Sequence, residues 1–179
     1  MKMTDTLEEA LELKAREKIY KIIEQSPGLH FREIQRRAEI AVGSLQYHLD
    51  YLNKKHLVRI EKQGKFVRYY SIRGKQLGED EKTMSLLRQN TIRRIVLFLL
   101  EKKQANNLTI SNAVNLSAST VSWHLDKMLE EGLIEREKHG RESIFVLRNP
   151  EKIAQIVINY KDSFLDQWVD NFAEMWEKF

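Results

Sequence analysis

Cysteine is absent from the 179-residue sequence, which excludes a disulfide framework, a thiolate metal site and a thiol redox switch. Glycine is sparse, and neither GxGxxG nor GxxxxGK occurs, so the common phosphate-binding loops are excluded. No apolar run approaches the roughly 18 residues of a membrane span, the longest being Ile95 to Leu100, and charged residues open the N-terminus. We therefore expect no membrane partner and no secretion signal, and a cytoplasmic location is the default.

Catalytic groupings are missing as well. Ser122, His124 and Asp126 are the residue types of a hydrolase triad, but a spacing of two on a helix turns neighbours about 200° apart. An apolar content of 42% suits two small cores better than one large catalytic domain. The histidines lack paired ligand spacing and carboxylate clusters, so no metal site is predicted from His30, His48, His56, His124 and His139. We expect no cofactor and no enzymatic activity, with His48 and His124 as semi-buried packing residues.

The sequence does contain one stretch that is written twice. Residues 44–58 read SLQYHLDYLNKKHLV, and 76 positions later residues 120–134 read TVSWHLDKMLEEGLI. Apolar positions on both sides match at the same offset, for example Ile34 with Ile110 and Leu57 with Leu133. The chain is therefore predicted to hold two copies of one domain of about 75 residues, which is too few copies for a solenoid.

Each copy has the pattern of a helix-turn-helix followed by a hairpin. In the first copy, apolar spacing predicts helices over residues 31–38 and about 42–55, separated by a short turn. Two β-prone runs follow, residues 57–61 and 66–72, around a basic tip at residues 62–65. This is the winged-helix pattern, so the predicted fold class is mainly α, an α+β winged helix, with two tandem domains and a C-terminal helical region.

In these residues, above all STVSWHLDKMLEEGLIE from Ser119 to Glu135, the sequence resembles winged helix-turn-helix transcription regulators of the ArsR/MarR type. It is most similar to the archaeal ones that carry two such domains in one chain, and the resemblance spans roughly residues 17–148. The resemblance implies a nucleoid-associated regulator that binds double-stranded DNA sequence-specifically and occludes or recruits the basal transcription machinery. The alternative is a protein-interaction scaffold in a transcription or chromosome-maintenance complex, because winged helices also serve as docking modules.

The two copies differ in charge. Residues 26–73 hold ten Lys and Arg against four Asp and Glu, or +6, whereas residues 104–149 hold five against six, or −1. Because phosphate neutralisation supplies most non-specific DNA affinity, the first copy is predicted to be the principal binder. The basic residues expected at phosphates in this copy are Arg32, Arg36, Arg37, Lys54, Lys62, Lys65 and Arg68; the alternative for the helix arginines is a merely solvated face.

The recognition helices supply the residues expected at base edges. In the first copy, helical spacing turns Gly43, Ser44, Gln46 and Tyr47 outward, and the resemblance places them at the major groove. Gln46 can bond adenine bidentately, whereas Tyr47 could instead pack under the wing. In the second copy the corresponding surface is expected to comprise Ser119, Thr120, Ser122 and Trp123, with Lys138 and Arg141 on the wing.

Segment boundaries follow from composition and periodicity. The expected divisions are an N-terminal helix over 1–25, the rest of the first domain over 26–73, a linker over 74–80, the second domain over 81–149 and a helical region over 150–179. Residues 81–103 are predicted to form one long helix, whose first half spans the two domains. Left-handed backbone is expected at Asn115, which suits the turn, and at His56, where the second copy has Gly132.

The C-terminal region carries a broad apolar stripe, which we expect to build a homodimer. Asp162 or Ser163 could cap a break within it. The alternative is that the region folds back and covers the gap between the two domains of one chain. The residues expected at the dimer contact are Phe164, Trp168, Phe172, Met175, Trp176 and Phe179.

Overall fold

The structure, a computed structural model, describes residues 14–63, 66–73 and 80–176. It divides into two compact units, Met1–Gly78 and Glu79–Phe179. The expected start of the N-terminal helix, before Lys14, and residues 74–79 of the expected linker lie outside the described residues. Of the helices in the described ranges, none has the length and apolar character that crossing a bilayer requires.

Unit 1 has a helix-turn-helix motif packed on a preceding helix and followed by a hairpin. The elements are α1 (Lys14–Gln25), α2 (Phe31–Ala38), α3 (Val42–Lys54), β1 (Val58–Gln63) and β2 (Phe66–Ser71). The strands pair antiparallel from Val58 opposite Ser71 to Gln63 opposite Phe66, which confirms the wing. β1 runs further than expected, so Lys62 lies in the strand and not in the tip.

The apolar faces of the three described helices form most of the core of unit 1, and the wing adds Val58 and Tyr69. Fully buried side chains from all three elements meet there, including Ile19, Ile23, Ile34, Leu45 and Leu49. Spacings of three and four keep each set on one helix face, so α2 and α3 both pack against α1. This packing leaves the opposite face of α3 to solvent.

Left-handed backbone occurs at the two kinds of position where it was expected. In the turn of the second motif Asn115 has φ 56°, and the equivalent residue of the first motif, Glu39, has φ 57°. After the recognition helices, His56 has φ 54° where the second copy has Gly132 at φ 71°. Both expectations are confirmed, and at His56 a side chain with a Cβ occupies a conformation that favours glycine.

Replacing His56 with glycine is expected to raise the free energy of unfolding by up to about 1 kcal/mol. Glycine removes the Cβ repulsion of the left-handed C-terminal residue, and this gain exceeds its larger entropy in the unfolded chain. The neighbouring Lys55 has φ −83°, so Lys55→Gly removes no strain and is the matched control, expected to lower stability. Urea unfolding followed by far-ultraviolet circular dichroism measures both, and a lower midpoint for His56→Gly would contradict the expectation.

Unit 2 repeats the motif with a larger sheet and additional helices. Its elements are α4 (Glu81–Leu87), α5 (Asn90–Lys102), β3 (Gln104–Asn106), α6 (Asn107–Val114), α7 (Ala118–Glu130), β4 (Ile134–His139), β5 (Glu142–Leu147), α8 (Pro150–Asn159), α9 (Lys161–Phe164) and α10 (Gln167–Trp176). The antiparallel sheet has the order β3-β5-β4. β3 was not expected from the sequence; at the matching place in unit 1 there is a single bridge between Leu29 and Tyr69.

The predicted continuous helix over residues 81–103 is wrong. It breaks after Leu87, and Gln89 is extended with φ −85° and ψ 115°. The side chain of Arg93 donates from Nη1 to the carbonyl oxygen of Leu87 at 2.7 Å, which satisfies an acceptor at the end of α4. A side chain six residues further on therefore stabilises this end of α4. As part of unit 2, α4 packs against α5.

The C-terminal region breaks twice, at Tyr160 and at Leu165 with Asp166, and neither break is capped by Asp162 or Ser163 as expected. Leu165 has φ 52°, and the Oδ1 atom of Asp166 accepts a hydrogen bond from the backbone N–H of Trp168 at 3.1 Å. Asp166 thus caps α10, which packs against α5 and α8. This packing buries a large part of the apolar stripe within unit 2.

Two residues of the expected dimer contact are consequently not available for it. Phe164 and Phe172 are 7% and 5% exposed, because their side chains pack within unit 2. The guanidinium groups of Arg88 and Arg93 lie over the Phe164 ring at 4.8 and 5.3 Å. The remaining contact residues have different environments: Trp168 and Trp176 are exposed, Met175 is half-buried, and Phe179 lies outside the described residues.

Candidate nucleic-acid interface

The outward face of α3 carries the side chains expected at base edges. Gly43, Ser44, Gln46 and Tyr47 are all exposed, whereas Leu45 is fully buried on the opposite face. Tyr47 is 61% exposed, so the alternative that it packs under the wing is wrong. Val42 is 57% exposed on the same helix and was missed, because an apolar residue at the start of a helix is usually assigned to the core.

The N-terminus of α3 is open. Its N-cap residue Ala41 provides no side-chain acceptor, and a Cβ added at Gly43 would meet no atom within 4 Å. In α7, by contrast, Ser117 Oγ accepts the backbone N–H of Thr120 at 3.2 Å. The unpaired N–H groups and the helix dipole of α3 therefore favour an approaching anion such as a phosphate.

Gln46 is held by a neighbour on its own helix. Its Nε2 atom donates to Oδ1 of Asp50 at 2.9 Å, one turn further along α3. The second hydrogen on Nε2 and the amide oxygen remain for a base edge, which is the donor–acceptor pair that adenine requires. At the equivalent position of α7, Ser122 Oγ already accepts from Asn107 Nδ2 at 2.8 Å.

The three arginines of α2 have different environments. Arg32 and Arg36 are exposed; Arg36 donates from Nε and Nη2 to Glu33. The Arg37 side chain is only 15% exposed and donates to Glu33 and to Ser26 Oγ. Burial opposes ionisation of the Glu33 carboxyl, but the hydrogen bonds from Arg36 and Arg37 outweigh it and lower its pKa. Arg37 therefore orders this helix, and Arg32 and Arg36 are the arginines placed to meet phosphates.

The expectation that Arg68 contacts DNA is wrong. Arg68 is 4% exposed, and its Nη1 atom donates to the carbonyl oxygen of Gly28 at 2.9 Å. Burial also lowers the pKa of its guanidinium. The residue ties the wing to the loop before α2. Of the other lysines expected to contact phosphates, Lys54 and Lys62 are exposed, and Lys65 lies outside the described residues.

His30 is an unforeseen N-cap for α2. Its Nδ1 atom accepts the backbone N–H of Glu33 at 3.2 Å, which requires that nitrogen to be unprotonated. Burial of the ring, and after it the positive charge of Arg68, lowers the pKa of His30. The pKa of His48 is lowered too, by burial and then by Arg16.

Unit 1 is consequently expected to lose stability as the pH falls below about 6.5, the ordinary histidine pKa. The unfolded chain takes up protons there that the folded state resists, so the free energy of unfolding decreases until the folded pKa is passed. His30→Asn keeps a capping acceptor that does not titrate and should flatten part of this decrease. Urea unfolding at pH 7.5 and 5 compares the two proteins, and identical pH profiles would exclude the cap as a contributor.

The corresponding surface of unit 2 is polar but not basic. Ser119, Thr120, Ser122 and Trp123 are exposed as expected. The Trp123 ring packs edge-on against His124 at 4.8 Å, as Tyr47 does against His48 at 5.4 Å. Lys138 and Arg141 are also exposed, but Glu137 and Glu142 lie on the same wing. Within the described ranges, no group of three or more His, Cys, Asp or Glu side chains could hold a metal ion.

Comparisons with known proteins agree with this geometry. A family model described as an N-terminal HTH domain matches residues 13–83, and one described as winged helix-turn-helix DNA-binding matches residues 88–135. An uncharacterized HTH-type transcriptional regulator of Methanocaldococcus jannaschii is 27% identical over 132 residues. That match covers 74% of this chain and 33% of the relative, so the chain spans about a third of the relative's length.

Solved structures with partial similarity include two regulators. The transcriptional repressor PagR of Bacillus anthracis is 29% identical, with 45% of this chain and 91% of that chain covered and a TM-score of 0.40. An ArsR family transcriptional regulator is 18% identical, with 56% and 93% covered and a TM-score of 0.36. With a helix-turn-helix family model within each half and a wing after each motif, the chain carries two winged helix-turn-helix domains in tandem.

Proposed function

We propose that this chain is a transcription regulator that binds double-stranded DNA sequence-specifically, with unit 1 as the principal binder. The observation that carries the proposal is the outward face of α3, which joins an open helix N-terminus to exposed base-reading groups. Exposed cations at Arg32, Arg36, Lys54 and Lys62 accompany it. The similarity to the HTH-type transcriptional regulator of Methanocaldococcus jannaschii supports the same role.

Salt-dependent duplex binding is the direct test. Sites are first selected from random duplexes, and binding of the intact chain is then measured by fluorescence anisotropy between 50 and 300 mM salt. We expect log K to fall linearly with log salt, by about 0.9 for each phosphate contact. A chain that shows neither selection nor salt-dependent duplex binding would favour the alternative of a protein-interaction scaffold.

Gln46 is proposed as a base-reading residue. A good bidentate base contact contributes about 1 to 3 kcal/mol of discrimination. Gln46→Ala is therefore expected to relax preference at one position of the selected site by about tenfold, with little change in non-specific affinity. Ser122→Ala, at the equivalent position of α7, is the matched control and should relax less. A uniform loss on all sequences for Gln46→Ala would instead assign Gln46 to phosphate contact or to folding.

We further propose that the chain forms a homodimer through what remains exposed of the C-terminal stripe. Trp168 and Trp176 are 53% and 38% exposed on α10, and such large apolar side chains rarely cluster on a monomer surface. Met175 lies between them in sequence and is half-buried. A two-fold dimer binds an inverted repeat, so the selected sites should have that symmetry.

Sedimentation of the intact chain tests the dimer. We expect twice the single-chain mass at micromolar concentration and a single-chain mass when Trp168 and Trp176 are both replaced by serine. Replacements of Gln167 and Asn171, which are exposed on the same helix, are the control and should leave the sedimenting mass unchanged. An intact protein that sediments at 21.3 kDa excludes the dimer.

The remaining proposals follow from DNA as the ligand. We propose that the chain acts in the cytoplasm at the nucleoid and regulates by occluding or recruiting the basal transcription machinery. Such a role requires neither catalysis nor a cofactor. We also propose that the chain is divided at the segment boundaries predicted from the sequence, with residues 74–80 as the linker.

A further inference from the structure

The recognition helix of unit 1 begins with an exposed valine that the core does not use. Val42 is 57% exposed at the first position of α3, whereas Leu45 on the same helix is fully buried. The matching residue of α7 is Ala118, which is also exposed, so neither copy needs a large apolar side chain here to close its core. Valine is a weaker helix former than alanine, so folding does not account for its presence. A single exposed valine is common on protein surfaces, and its meaning comes from its neighbours.

The residues on either side of Val42 have small side chains or none. Ala41, the N-cap residue, ends at its Cβ atom, and a Cβ added at Gly43 would meet no atom within 4 Å. Of these three residues only Val42 extends past Cβ, and a β-branched side chain in a helix strongly prefers one χ1 rotamer. The start of α3 therefore presents two methyl groups in a fixed orientation, beside the open helix N-terminus.

Val42 also precedes the proposed base-reading residue Gln46 by one helical turn. Residues four apart lie on the same side of a helix, with Cβ atoms roughly 5 to 6 Å from each other. That separation corresponds to between one and two base-pair steps of about 3.4 Å. Gln46 is proposed to contact adenine, and the thymine of an A·T pair presents its C5 methyl group in the same major groove. A thymine methyl group near that adenine is thus within reach of Val42.

We propose that Val42 is a specificity-determining residue that contacts the C5 methyl group of a thymine, within about two base pairs of the adenine contacted by Gln46. Apolar side chains distinguish thymine by this methyl group. Cytosine lacks the methyl group and presents an N4 amino group, to which valine offers no acceptor, so cytosine is disfavoured at the same position. Ala118 is two carbon atoms shorter, so α7 does not make an equivalent contact. The inference rests on the proposed function, because it names a chemical group of the DNA that unit 1 recognises.

Deoxyuridine tests the contact, because it lacks only the C5 methyl group of thymidine. Each thymine of the selected duplex is replaced in turn, and the affinity of the intact chain is measured by fluorescence anisotropy. We expect one position at which affinity falls about fourfold, the effect of one buried methyl group. This position should lie within about two base pairs of the one at which Gln46→Ala relaxes the preference. The salt slope should not change, because no phosphate contact is lost.

Replacement of the valine locates the contact on the protein. Val42→Ala should bind the thymine and deoxyuridine duplexes with equal affinity at this position, while the preference for the adenine contacted by Gln46 persists. Val67→Ala removes a valine that is 40% exposed on β2, and this matched control should keep the full deoxyuridine effect. The urea unfolding midpoint of Val42→Ala should equal that of the unchanged chain, which separates a lost contact from lost structure.

The outcomes distinguish this inference from the function on which it rests. Selective duplex binding with equal affinity for thymine and deoxyuridine at every position overturns the role of Val42 alone. A deoxyuridine effect that persists in full in Val42→Ala assigns the methyl contact to another residue and overturns it as well. If no duplex sequence is selected by the intact chain, the proposed function fails, and the role of Val42 fails with it.

Discussion

Replacing Asp166 with alanine is expected to lower the free energy of unfolding of unit 2 by about 3 to 5 kcal/mol. Asp166 Oδ2 accepts a hydrogen bond from Arg93 Nε at 2.6 Å and forms an ion pair with Arg93 Nη2 at 2.5 Å, with the Asp166 and Arg93 side chains only 11% and 8% exposed. Its removal leaves the Arg93 guanidinium charge buried without its counter-charge, and α10 also loses its cap. Asp166→Asn keeps an oxygen for the cap and should lose less.

Tryptophan emission during urea unfolding measures this effect in unit 2. The three tryptophans, at positions 123, 168 and 176, all lie in unit 2, so the signal excludes unfolding of unit 1. The matched control is Glu135→Ala, which removes the carboxylate of an exposed ion pair with Arg148 and is expected to lower stability by less than about 1 kcal/mol.

A double replacement separates burial of a charge from loss of packing. Arg93→Met combined with Asp166→Leu removes both charges and should recover most of the stability lost by Asp166→Ala, because apolar groups of similar volume need no counter-charge. A double variant as unstable as Asp166→Ala, or an Asp166→Ala loss no larger than that of the Glu135 control, would contradict the assignment of Arg93 and Asp166 as a stabilising pair.

Reversal of charge at Arg32 and Arg36 is expected to weaken duplex binding about a hundredfold or more near 0.1 M salt and to lower the salt slope by about two. Both arginines are exposed on α2, next to the open N-terminus of the recognition helix in sequence, and each is placed to neutralise a phosphate. The Arg36 side chain is itself exposed and Glu33 keeps its hydrogen bond from Arg37, so loss of the Arg36 ion pair should affect folding little.

The control is the same reversal of two positive charges on the wing of unit 2. Lys138→Glu with Arg141→Glu changes the net charge by the same amount, yet unit 2 has no net positive surface of this kind, so we expect a loss of about tenfold or less. Anisotropy at several salt concentrations measures both variants against one duplex. Equal losses in affinity would contradict unit 1 as the principal binder.

Periodicity and the internal repeat predicted the features that depend on neighbours in sequence. The bounds of α2, the outward face of α3 and the left-handed His56 all follow from spacing or from comparison of the two copies. His56 shows this best, because its backbone was inferred from Gly132 in the other copy. Such local features need only the hydrophobic pattern and the geometry of a helix end.

Features decided by distant partners were missed. The sequence predicts that Arg68 is a cation of the wing that contacts DNA. In the structure it instead donates a hydrogen bond to the carbonyl oxygen of Gly28, 40 residues earlier. The break before Gln89 involves no proline or glycine, and the carbonyl oxygen that ends α4 is bound by Arg93, which Asp166 holds from 73 residues away. Phe172 lies on α10, which packs against α5, and Arg93 of α5 lies over the Phe164 ring. Apolar and charged patterns do not specify these pairings, because many partners of the same type are available.

The same Arg93–Asp166 pair sets an order of events during synthesis on the ribosome. Unit 1 closes its core with residues that lie between Ile19 and Tyr69, so that core can form while later parts of the chain are still being made. In the folded unit 2, Asp166 and Phe172 help to bury the Arg93 guanidinium and the apolar face of α5. Both groups therefore stay exposed until Asp166 and Phe172 leave the ribosome. During that interval the part of α5 that α10 later covers is exposed to chaperones, proteases and neighbouring nascent chains.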